Sequence, residues 1–185
     1  MSRVILLWSG GKDAMLALCH ARDADHQVVA LATFAPLKPR FLAHPLPLVR
    51  RQAAALGLPH LLVTIEAPFE QGYEMALSRL RQEWALDGVV TGDIDSVGGA
   101  PNWIRERCQP LGLAVHTPLW QQSRQALLAD MLARGIVAHL SCVDTRVLAP
   151  EWAGRVLDAA TLTELQQLAE REGFDACGEQ GEYHT

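Results

Sequence analysis

The 185-residue chain has no Cys-x-x-Cys pair, no long apolar run, no cluster of basic residues and no internal repeat. Each absence excludes a class of protein. Its four cysteines, Cys19, Cys108, Cys142 and Cys177, are too far apart for a zinc knuckle or a disulfide framework, so a reduced, cytoplasmic setting is expected. No segment approaches the ~18 apolar residues that span a bilayer, and a single arginine precedes the first apolar run, unlike a secretory leader. A formal net charge of −5 with scattered arginines, densest at Arg50–Arg51 and Arg105/Arg107, argues against nucleic-acid and membrane partners. What is present is globular in character: 49% hydrophobic and 20% charged residues. A chain of this length buries roughly 70% of its unfolded surface.

Strand and helix signals alternate, as in an α/β fold with an open, mainly parallel, doubly wound sheet. Strands are expected at Val4–Trp8, Gln27–Phe34, His60–Ile65, Gly88–Thr91, Ala114–His116 and Ile136–Val143. Between them Leu46, Val49, Ala53 and Leu56 share one helical face closed by Gly57, and Tyr73, Ala76, Leu77, Leu80 and Trp84 share another. Ile104, Cys108 and Leu111 mark a helix closed by Gly112, and Leu127, Leu128, Met131 and Leu132 one closed by Gly135. Thr161-Leu162-Thr163-Glu164 has the form of a capping box opening the last helix. The segment Val97-Gly98-Gly99-Ala100-Pro101 reads as a mobile loop.

The most informative stretch is Val4-Ile5-Leu6-Leu7-Trp8-Ser9-Gly10-Gly11-Lys12-Asp13. An apolar strand turns through two glycines into a helix start, which directs backbone N–H groups and the positive helix end to one point, where anions bind. The glycines admit a phosphate close to the backbone, Ser9 adds a hydroxyl, and Lys12 adds a mobile positive charge. Asp13 either caps the helix start or helps to hold a metal. This is not a Walker loop, because Leu6 and Asp13 stand where that pattern needs glycine and Ser/Thr. In open α/β sheets ligands bind beyond the strand carboxyl ends, at the switch in strand order. Adenine is therefore expected against Thr33–Phe34, the phosphates on Ser9, Gly10, Gly11 and Lys12, and the ribose or α-phosphate near Gly92–Asp93.

Ser9–Asp13 resembles the pyrophosphate loop, Ser-Gly-Gly-x-Asp, of the PP-loop ATP pyrophosphatases, although many members have Ser where this chain has Ala14. Further motifs follow in order: Gly92-Asp93-Ile94, Pro118-Leu119-Trp120, Cys142-Val143-Asp144 and Gly178-Glu179-Gln180-Gly181-Glu182-Tyr183. Together they are similar to the diphthine–ammonia ligase family over nearly the whole chain. His184 in place of Glu, with Trp152-Ala153-Gly154-Arg155, looks more like that family's bacterial branch proposed for cobalamin salvage. The resemblance implies a nucleotide-binding domain over 1–117 and a smaller substrate-binding part over 118–185, without the further strand into which relatives continue. It also implies adenylation of a carboxylate by ATP with Mg²⁺, then amide formation with ammonia.

Lys12, Asp13, Glu179 and Glu182 are the expected catalytic residues, the two glutamates orienting ammonia, taking its proton or holding Mg²⁺. His44, Trp120, Gly178, Gly181, Tyr183 and His184 are expected at the acceptor, with His184 able to act as a base near neutrality. The ligands of any metal are not specified, and a homodimer stays open. Two other readings stand beside this one. One is a sulfur-transfer enzyme in which Cys142 and Cys177 carry a persulfide; the other is a nucleotide-binding module without catalysis.

Overall fold

The computed structural model describes residues 1–41, 43–96 and 102–185; the glycine-rich segment expected to be mobile, 97–101, lies outside them. Strands β1 (Arg3–Leu7), β2 (Gln27–Ala35), β3 (His60–Thr64), β4 (Gly88–Val90) and β5 (Ala114–His116) form one parallel sheet in the order β3-β2-β1-β4-β5. The chain leaves β1 toward β2 on one side and returns to β4 on the other, so the order reverses beside β1. Crevices for ligands open at such a point.

Alternation along β1 builds two cores, because successive side chains point to opposite faces. Val4 and Leu6 pack with helix α1 (Lys12–Asp23) and helix α2 (Leu46–Ala55) through Leu16, Ala17, Val49 and Ala53. Ile5 packs on the other face with α3 (Phe69–Trp84) and α4 (Trp103–Cys108) through Ala76, Leu77, Leu80 and Cys108. A third core gathers Leu128 and Met131 of α5 (Arg124–Ala133), Leu162 and Leu165 of α6 (Ala159–Glu172), and Leu140, Leu148, Leu157 and Tyr183. Leu119 and Leu127 join the first core instead, which ties the C-terminal part to the sheet.

The structure corrects the sequence reading at four places. Ile136–Val143 is not one strand. It contains an isolated bridge from His139 to Val156 and the short strand β6 (Cys142–Val143), paired antiparallel with β7 (Tyr183–His184). Ala138 and Leu140 serve the third core through an irregular backbone, while Val137 is exposed. The last helix opens at Asp158, whose carboxylate accepts the Thr161 N–H at 2.8 Å, so Thr161 is inside the helix. Asp is as good an N-cap as Thr, and Ala159 and Ala160 extend the helix toward it. Helix α1 runs from Lys12 to Asp23, two residues beyond each end of Ala14–Ala21, the stretch whose residues suit a helix. The helix ending at Gly112 is α4 followed by a 3-10 turn, Gln109–Leu111, because Pro110 has no N–H to continue the α pattern.

Candidate functional site

A cleft of about 770 Å³ opens at the carboxyl ends of β1, β2 and β4. Trp8, Ser9, Asp13 and Ala14 form its floor, Thr33 and Phe34 one side, and Thr91, Gly92, Asp93 and Asp95 the other. His44, Tyr73, Asn102, Trp103 and Trp120 complete the lining. The three loops expected to converge therefore do so.

The loop after β1 is held by contacts that sequence reasoning missed. Gly10 takes φ +88°, a left-handed conformation open to glycine. Its carbonyl accepts a hydrogen bond from Gln52 Nε2 of α2 at 2.9 Å. The Ser9 hydroxyl accepts the Gly11 N–H at 3.3 Å. Gly11 is the N-cap of α1 and brings no capping side chain. Gly92 has a packing role: a Cβ there would lie 2.8 Å from the Asp13 carbonyl carbon and 2.9 Å from the Ala14 nitrogen. The loop after β4 thus presses directly on the start of α1.

Lys12 is a fixed charge, not the mobile one expected. It is 7% exposed and does not line the cleft. Its ammonium donates to Asp13 Oδ2 at 2.8 Å and lies 3.9 Å from Glu179 Oε1. Burial pulls its pKa down, but Asp13 and then Glu179 outweigh that, and the net shift is upward. The ammonium is therefore secured as a cation. Glu179 is displaced the other way: burial, then the Asp13 charge, push its carboxyl up to about 7, only partly offset by Lys12 and Arg124. A side chain 28% exposed beside the loop after β1, its pKa raised to about 7, suits proton transfer.

Glu182 is employed differently. Its two oxygens accept the N–H groups of Asp175, at 3.0 Å, and Gln180, at 2.9 Å, so it shapes the turn that presents Glu179. Gly178 (φ +77°) sits where a Cβ would come within 2.9 Å of the Tyr183 carbonyl. The Tyr183 hydroxyl is buried on the Ala176 carbonyl at 2.7 Å. Gly178, Gly181, Tyr183 and His184 thus build the tail without lining the cleft. Of the expected acceptor residues, His44 and Trp120 do line it. His184 is exposed, its ring edge-on to His44 at 5.9 Å between centroids. His44 contacts the Thr185 carbonyl, and burial is the largest of the effects that lower its pKa.

On the β2 side of the cleft, the Thr33 hydroxyl donates to the Trp8 carbonyl at 2.6 Å and meets His60 Nε2 at 2.9 Å, so it braces β1 against β2. Phe34 is stacked on Tyr73 with centroids 4.7 Å apart, and Trp103 meets Tyr73 edge-on at 4.6 Å. Asp93 accepts from Asn102 Nδ2 at 2.8 Å, which aims its carboxylate. Arg124 spans Asp95 at 3.4 Å and Asp175 at 3.1 Å, joining the β4 loop to the tail. Cys177 is 1% exposed, its thiol pushed up to about 12 by burial. A protonated, enclosed thiol does not suit the persulfide role considered from sequence.

Residues 2–115 match the family model for the diphthamide synthase N-terminal domain, and residues 124–185 that for the diphthamide synthase C-terminal domain. The diphthine–ammonia ligase of Danio rerio is 31% identical over 212 residues, spanning 99% of this chain and 80% of that protein. The Homo sapiens diphthine–ammonia ligase is 29% identical over 213 residues, spanning 99% and 77%. Among solved structures, a predicted subunit of tRNA methyltransferase from Methanocaldococcus jannaschii superposes with a TM-score of 0.51 at 15% identity, covering 100% of this chain and 95% of that one. That likeness concerns the fold alone.

Proposed function

The chain belongs to the diphthamide synthase family, and on that premise we propose that it is an ATP-dependent ligase that converts a carboxylate to an amide with ammonia. The observation that carries this reading is the junction of two halves at Lys12. The phosphate loop leads into it from β1, and the C-terminal tail sets Glu179 3.9 Å from its ammonium.

In the first step a carboxylate oxygen of the acceptor attacks the α-phosphorus of ATP, and the bond to the β-phosphate oxygen breaks. Negative charge grows on the departing pyrophosphate. The positive end of α1 and the fixed Lys12 charge are pre-arranged for it, while the Gly11 and Lys12 N–H groups are held by the Ser9 and Thr185 hydroxyls. In the second step ammonia attacks the acyl carbon, AMP leaves, and Glu179 takes the surplus proton.

Among the described residues no three His, Cys, Asp or Glu side chains gather into a metal site. Mg²⁺ carried on the nucleotide needs only one or two protein carboxylates. Asp13, whose Oδ2 accepts from Lys12, would hold that ion, which would supply charge neutralisation to the phosphates. The stacked ring of Phe34 and the Thr33 backbone offer an edge for adenine, and His44 and Trp120 face the acceptor.

Incubation with ATP, Mg²⁺, ammonium and a panel of corrinoid carboxylates and diphthine-like acids tests the reading. Acid-dependent AMP and pyrophosphate are expected. ADP with orthophosphate, or ATP binding without AMP across the panel, would refute it, the latter in favour of a binding module.

A further inference from the structure

The far end of the described chain reaches back onto the phosphate loop. The Thr185 hydroxyl accepts the Lys12 backbone N–H at 2.9 Å, at the first turn of α1. His44 holds the Thr185 carbonyl, and that carbonyl oxygen lies 3.6 Å from where a Gly11 Cβ would be. Pairing of β7 with β6, together with the Ser141 N–H donating to the His184 carbonyl at 2.8 Å, sets this position. A threonine hydroxyl accepts and donates at once. Its acceptor side is used by Lys12, and among the described residues its proton has no acceptor.

We propose that the Thr185 hydroxyl is a pyrophosphate ligand, supplied to the phosphate loop by the other half of the chain. Lys12 N–H orients the oxygen, and the hydroxyl proton donates to a β- or γ-phosphate oxygen. The same tail sets Glu179 beside the Lys12 ammonium. Backbone and side chain of the one lysine are thus positioned from a single segment. The inference rests on the ATP reading above.

The test is calorimetric titration of the full chain and of Thr185→Val and Thr185→Ser with ATP, inorganic pyrophosphate and AMP. A lost hydrogen bond to a charged group predicts roughly tenfold or greater weakening of ATP and pyrophosphate in the valine variant. AMP, which lacks the β- and γ-phosphates, should bind equally to all three proteins, and serine should restore binding to within about threefold. Equal pyrophosphate affinity in the valine variant, parallel loss of AMP, or failure of serine to restore binding would overturn the inference while leaving the ATP reading standing. A parent protein that binds neither ATP nor pyrophosphate would overturn both.

Discussion

In the proposed reaction Lys12 and Glu179 divide the chemistry between them, and each can be interrogated separately. Lys12 is buried against Asp13, so its charge is available without being recruited from solvent. Removing one pre-arranged electrostatic contact typically costs on the order of 10²–10³ in rate. Lys12→Ala should therefore reduce pyrophosphate release by about that factor; a turnover equal to the parent's would remove Lys12 from the mechanism. Glu179 belongs to the later step. Glu179→Gln should slow amide formation by about 10² or more while acid-dependent ATP–pyrophosphate exchange persists. At constant free-ammonia concentration, amide formation in the parent should rise with pH through about 7 as Glu179 ionises; a pH profile that keeps this limb in the glutamine variant would assign the titration elsewhere.

The same carboxyl also fixes the sign of a stability effect. Its pKa in the folded protein is about 7 against an ordinary value of 4.5. Between those values the folded state holds more protons than the unfolded state, so this group's contribution to stability falls as pH rises from 4.5 toward 7. Glu179→Gln removes that loss. Thermal unfolding should show the variant gaining on the parent at pH ~8 and losing that advantage at pH ~4, both outside the titration window. An advantage independent of pH would mean that Glu179 is not displaced.

At the scale of elements, the close approach of the β4 loop to the start of α1 is the most exacting contact. A Cβ on Gly92 would meet Asp13 and Ala14 backbone atoms at 2.8 to 2.9 Å. Backbone cannot rotate aside as a side chain can, so Gly92→Ala should cost about 1–3 kcal/mol and raise the KM for ATP. Chemical denaturation and steady-state kinetics would check both, and an unchanged KM would separate that contact from the site.

The parallel strands were legible because each is a short apolar run bounded by turn residues, and Ser-Gly-Gly-Lys-Asp marked the crevice before any contact was known. The two-residue strands β6 and β7 are too short for periodicity to register. Gln52, Asn102 and Arg124 escaped for another reason. Their partners, Gly10, Asp93, Asp95 and Asp175, are 9 to 51 residues away in sequence. No local pattern marks a side chain whose task is to hold another segment. By periodicity Tyr73 is a core position on an amphipathic helix, yet its ring is stacked on Phe34 at the cleft wall. An aromatic on the apolar face of a helix gives one sequence signal for both roles.

For the whole molecule, the proposed site draws on both parts. The sheet supplies the phosphate loop, and the third core holds the tail through the buried Tyr183 ring. Arg124 bridges the two through Asp95 and Asp175. A ligand that binds only the folded state stabilises it by an amount that grows as the logarithm of one plus its free concentration over Kd, and its contacts determine where that stabilisation is felt. ATP gripped by the β1 loop alone would protect backbone amides near residues 9–13. Gripped by both halves, it should slow hydrogen exchange at residues 174–185 as well, with AMP protecting the tail much less. Exchange measured by mass spectrometry with and without each nucleotide distinguishes these cases. Protection confined to the loop would mean that the tail is a neighbour of the nucleotide site and not a part of it.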